Sequence, residues 1–65
     1  MLVTLNGAQT RIDGIETITG LLDHLELEGR IAVEVNREIV PRSEFDRFTI
    51  KDGDTIEIVH AIGGG

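Results

Sequence analysis

Three glycines, Gly63-Gly64-Gly65, close the sequence, and they are the residues from which chemistry is expected. Without side chains, three residues reach up to about 10 Å and can thread a slot too narrow for any Cβ. At their end is an α-carboxylate, ionised at neutral pH and inert toward nucleophiles until it is converted to a mixed anhydride. Adenylation by ATP would activate it, and sulfur attack on the acyl-adenylate would leave a thiocarboxylate at Gly65. The competing reading is that the glycines are a frayed terminus or an expression remnant. No strand, turn or helix cap follows that would use them.

Other reactive side chains are few. His60 stands five residues before Gly65, about 16 Å from it along an extended chain, too far for direct acid or base help. His24 reads as a solvent-edge residue on a helix rather than a metal ligand. Asp52 and Asp54 flank Gly53 like a fragment of a calcium loop, but no further acidic ligands and no closing Glu follow, so a turn explains them better. With no cysteine, a disulfide framework, a thiolate metal site and a cysteine nucleophile are excluded together. Arg37 and Arg42 are the clearest basic residues near a turn and are expected to be surface contacts for a partner. No metal or cofactor is expected to be bound.

The elements that must position the tail are legible in the pattern. Val3 and Leu5 alternate with Thr4 and Asn6, Asn6-Gly7 supplies a type I′ turn pair, and residues 1–12 read as a hairpin. After Thr17 as N-cap, Ile18, Leu21, Leu22 and Leu25 fall on one helical face, and Gly29 is expected to stop the helix in a left-handed conformation. Ile31, Val33 and Val35 mark a third strand and Glu38 to Val40 a fourth. Pro41 ends that strand, and Ser43-Glu44-Phe45-Asp46 resembles a capping box for one helical turn. Asp52-Gly53-Asp54 turns the chain into its longest strand, Thr55 to Ile62, hence the central one.

One long helix with four to five strands makes an α+β sheet whose helix covers one face. The other face, with Leu2, Thr4, Glu57, Val59 and Ala61, is expected to be open to water or a partner. Residues 1–62 form the domain and residues 63–65 the tail.

At 65 residues, 40% of them hydrophobic and with two aromatics, Phe45 and Phe48, the chain builds one small core of Ile, Val and Leu with no room for a deep substrate cavity. Twelve Asp and Glu against six Lys and Arg give a net charge of −6. That charge repels nucleic acid and anionic lipid and either keeps the protein soluble or steers it toward basic partner surfaces. The first residues show no basic region followed by a long apolar run, and no segment is apolar enough to span a membrane. A reducing cytoplasm is the expected location.

The stretch Val35-Asn36-Arg37-Glu38-Ile39-Val40-Pro41-Arg42, the Asp52-Gly53-Asp54 turn before a hydrophobic strand and the terminal glycines closely resemble the ThiS family, the sulfur carriers of thiamine biosynthesis, over essentially the whole chain. The resemblance implies a ubiquitin-like β-grasp fold with the first and last strands parallel at the sheet's centre. It also implies that an E1-like adenylyltransferase of the ThiF type adenylates Gly65 with ATP and magnesium. A persulfide sulfurtransferase then supplies sulfur, and a thiazole synthase of the ThiG type receives it. Gly65 would be the modified residue, and Gly63 and Gly64 would thread the partner's active site. Arg37, Arg42, Val59, Ala61 and Ile62 are the expected partner interface. The family is described by a terminal glycine pair, and Gly63 makes a third, leaving Ile62 as the last side chain a partner can grip.

Other destinations share the same chemistry. Sulfur carriers for molybdopterin synthesis and tRNA thiolation end similarly, and an activated Gly65 would equally serve a modifier joined to lysines by an isopeptide bond. A plain interaction module requires no covalent step at all.

Overall fold

The computed structural model describes residues 1–60. Strands β1 (Leu2–Leu5) and β2 (Ala8–Arg11) pair antiparallel across Asn6 and Gly7. Both turn residues have positive φ, 48° and 85°, as a type I′ hairpin demands. Helix α1 (Ile18–His24) begins at Thr17, whose hydroxyl oxygen accepts the Gly20 N–H at 3.1 Å. It turns Ile18, Leu21 and Leu22 into the core.

The helix stops before the glycine expected to stop it. Glu26, at φ 58°, takes the left-handed position, the Leu27 N–H donates to the Leu22 carbonyl at 3.0 Å and the Glu26 N–H to the Asp23 carbonyl at 3.1 Å. This bond pair is the Schellman motif, whose apolar residue after the left-handed one folds back on the helix. Leu27 does so and packs against the core, so apolar contact outweighs the penalty of a non-glycine at Glu26. Gly29, at φ 95°, lies farther along, in the loop to the next strand.

Strands β3 (Ile31–Val35) and β4 (Glu38–Val40) form a second hairpin. A single 3-10 turn, Arg42–Glu44, follows, with Pro41 at its N-cap and no side-chain cap bond. Ser43 therefore lies inside the turn and the capping box does not form. The Glu44 carboxylate instead receives the Arg47 guanidinium at 2.8 Å. The turn delivers Phe45 to the core, 7% exposed.

Strand β5 (Thr55–His60) is central in the order β2-β1-β5-β3-β4, parallel to β1 and antiparallel to β3. Ala61 and Ile62, expected to extend it, lie outside the described residues. Alternation sends Val3, Val33, Val35, Val40 and Ile56 toward α1, where they join Ile12, Ile15, Ile18, Leu21, Leu22, Phe45 and Ile50 in the core. The result is the α+β, ubiquitin-like β-grasp arrangement, a mixed five-stranded sheet with one helix across one face.

Two turn asparagines tie both hairpins to β5. The Asn6 Oδ1 accepts the Ile58 N–H at 2.8 Å. On the other flank, the Asn36 Oδ1 accepts the Thr55 N–H and its Nδ2 donates to Asp54 Oδ1, each at 3.0 Å. Asp52 and Asp54 serve the turn they were read in. Asp52 accepts the Leu2 N–H at 2.7 Å and Asp54 the Lys51 N–H at 2.8 Å. Among the described residues, no group of three or more His, Asp or Glu side chains is placed to hold a metal ion, and no helix is long and apolar enough to cross a membrane.

Candidate functional site

The central strand is the last element before the glycines at which reaction is expected. Gly63, Gly64, Gly65, Ala61 and Ile62, expected as the reacting tail and its grip, lie outside the described residues. What the structure places is the root of that tail and the sheet face beside it.

At the root, Val59 is 66% exposed and stands opposite Ala32 across the β3–β5 ladder, on the face away from α1. Arg42 reaches the same end. Its guanidinium donates to the Gly29 carbonyl at 2.7 Å and, with Arg30, Ile31, Ala32 and Val59, lines a shallow groove of about 370 Å³. His60 pairs with Ile31 in the ladder, and a Cβ added at Gly29 would stand 3.6 Å from its Nε2. The loop before β3 is thus tied at Gly29 to Arg42, with the His60 ring near by.

Arg37 is elsewhere. It occupies the β3–β4 turn with Asn36, beside the start of β5 rather than its end. The structure therefore joins Arg42 to Val59 and separates Arg37 from both. Arg37 has φ 71°, left-handed backbone that glycine adopts freely and a Cβ-bearing residue adopts at a cost of about 1–2 kcal/mol. Arg37→Gly is expected to relieve that cost and give back about half of it through a freer unfolded chain. The net gain is about 0.5–1 kcal/mol, read as a rise in Tm of about 2–8 °C. A fall in Tm would mean that the arginine side chain holds the turn.

The open face carries more than the sequence suggested. Directly opposed residues of paired strands project to the same side, so Glu34 stands beside Glu57 on β5 and beside Ile39 on β4. Ile39 is 74% exposed. Neither glutamate makes an ion pair or a side-chain hydrogen bond among the described residues. Glu57 and Val59 were assigned to this face from the alternation of the last strand. The alternation of Ile31, Val33 and Val35 with Ala32, Glu34 and Asn36 likewise puts Glu34 on the wetter face, but Ile39 and the meeting of Glu34 with Glu57 were missed, because the register between strands is not written in any one of them.

Among the described residues the buried set is wholly apolar, so this part of the domain offers no desolvated acid or base. What it offers is a central strand, β5, paired on both sides, and an exposed sheet face at Val59 and Ile39.

Comparison with known proteins fits that design. The model of the ThiS family matches residues 3–65. The chain is 41% identical over 66 residues to a thiazole synthase of Paramagnetospirillum magneticum, all of this chain against 20% of that protein. It is 44% identical over 50 residues to the sulfur carrier protein ThiS of Bacillus subtilis, 75% of this chain and 76% of that one. The crystal structure of the thiamine biosynthesis protein ThiS from Geobacter metallireducens superposes with a TM-score of 0.82 at 39% identity, covering all of both chains. The chain thus spans about a fifth of the length of the thiazole synthases it matches and most or all of the small carriers.

Proposed function

Because the chain belongs to the ThiS family, we propose that it is a sulfur carrier for the thiazole ring of thiamine, acting in the cytoplasm, with Gly65 as the atom-bearing residue. The observation that carries this reading is the full-length likeness to small proteins of the ThiS family, a match that runs through Gly63, Gly64 and Gly65.

The chemistry follows from the inertness of a carboxylate. An E1-like enzyme, using ATP and magnesium, joins the Gly65 carboxylate to AMP and releases pyrophosphate. The terminal sulfur of a donor persulfide attacks the acyl carbon, AMP leaves, and a second thiol takes over the remaining S–S partner, freeing a thiocarboxylate. The thiocarboxylate sulfur is then the nucleophile that thiazole synthase receives. The domain's own contribution is to place the glycines after a central strand that pairs with β1 on one side and β3 on the other. Ordering those glycines costs about 1–2 kcal/mol per residue, so recognition requires further contacts on the body of the domain.

The test is intact-mass analysis with fragmentation after incubation with ATP, magnesium, the cognate adenylating enzyme and a persulfide donor. Replacement of one oxygen by sulfur, confined to Gly65, is the expected result. An unmodified Gly65 in a mixture that thiolates another carrier would overturn the reading.

A further inference from the structure

Resting on the sulfur-carrier reading, we propose that the sheet face away from α1 docks thiazole synthase by seating a lysine or arginine of that enzyme against Glu34 and Glu57, while Ile39 and Val59 are covered beside it. The two carboxylates stand directly opposite each other across the central ladder, an arrangement in which like charges destabilise a sheet. No cation of the described chain relieves them. Ile39 borders Glu34 on the next strand, and Val59 lies two residues along β5 from Glu57 on the same face. They are 74% and 66% exposed. An uncompensated anionic pair bordered by bare aliphatic side chains is complementary to a partner surface with a cation among apolar groups. Covering Ile39 and Val59 would lower the local dielectric and strengthen the charge contact.

Charge also selects against other occupants. A second copy related by a two-fold axis would bring four carboxylates together, and the net charge of −6 disfavours nucleic acid and anionic lipid. Thiazole synthase is favoured because in two such enzymes a segment like this chain makes up a fifth of the protein. In those proteins the segment like this chain is part of the same polypeptide as the rest of the synthase.

The experiment compares wild type, E34Q and E57Q in two assays. One is thermal unfolding. The other is titration of the full carrier into the thiazole synthase of the same organism at several salt concentrations. Each glutamine is expected to raise Tm by about 1–5 °C through relief of the repulsion, yet to raise Kd about tenfold. Each should also flatten the loss of affinity with added salt that wild type shows. A purely structural pair would not strengthen the fold while weakening the complex. Unchanged Kd in both variants or a fall in Tm would each overturn the proposal. Formation of the Gly65 thiocarboxylate on wild type is measured alongside. If it forms and the synthase does not bind, the docking proposal fails alone. If it does not form, the carrier reading fails and the docking proposal falls with it.

Discussion

Deletion of Gly64 and Gly65 is expected to abolish thiocarboxylate formation, to the background of the uncatalysed reaction, while leaving the fold intact. The two halves of that expectation rest on different parts of the chain. The proposed reaction needs a carboxylate at the end of a segment thin enough to enter an adenylating site, and truncation would leave one on Gly63, two residues short and next in sequence to the Ile62 side chain. A misplacement of this size removes the near-attack geometry on which such a step depends. Among the described residues, by contrast, the buried side chains run from Val3 through Ile56, with Ile58 partly buried against them. Unfolding in urea should therefore give a midpoint and slope within error of wild type. Sulfur transfer that persists in the truncated chain would show that Gly65 is not the carrier residue. A large loss of stability would show that the tail packs on the body.

The same division explains what could be read from the sequence. The Asn6-Gly7 turn, the helical face of Ile18, Leu21 and Leu22, and the alternation of Ile31, Val33 and Val35 are local signals, each fixed by neighbours within a few residues, and each recurs in the structure. The helix end was misplaced because it is decided by a packing contact, that of partly buried Leu27 against the core, which draws the left-handed position forward to Glu26. Ser43 was misread for a similar reason. Pro41 and the packing of Phe45 set the turn's phase, and a hydroxyl three residues before an acid does not move it. The open face was half legible. Within a strand the alternation assigns a side, but the meeting of Glu34 with Glu57 and Ile39 depends on register, which only the assembled sheet defines. The separation of Arg37 from Arg42 follows from β4, which runs between them and carries one to each end of the sheet.

Ile56→Ala is expected to destabilise the domain by about 3–5 kcal/mol. Ile56 is fully buried in the central strand and stands opposite Leu5 on one side and Val35 on the other. Truncation removes three carbons at a point where the surroundings cannot close in without breaking two strand pairings. A domain of 65 residues has a total stability of roughly 3–10 kcal/mol, so the variant loses a third of it or more and is partly unfolded at 37 °C at the lower end of that range. Val59→Ala, three residues on in the same strand but 66% exposed, is expected to change stability by less than about 0.5 kcal/mol. Urea unfolding of the two variants beside wild type checks both values. A loss under about 1 kcal/mol at Ile56 would mean that the sheet relaxes around the cavity and that the strand before the glycines is less firmly anchored than its burial implies. Parity between the two variants would contradict the assignment of one side of β5 to the core and the other to solvent. That assignment lets a single strand hold the domain together through Ile56 and expose Val59 on its other side.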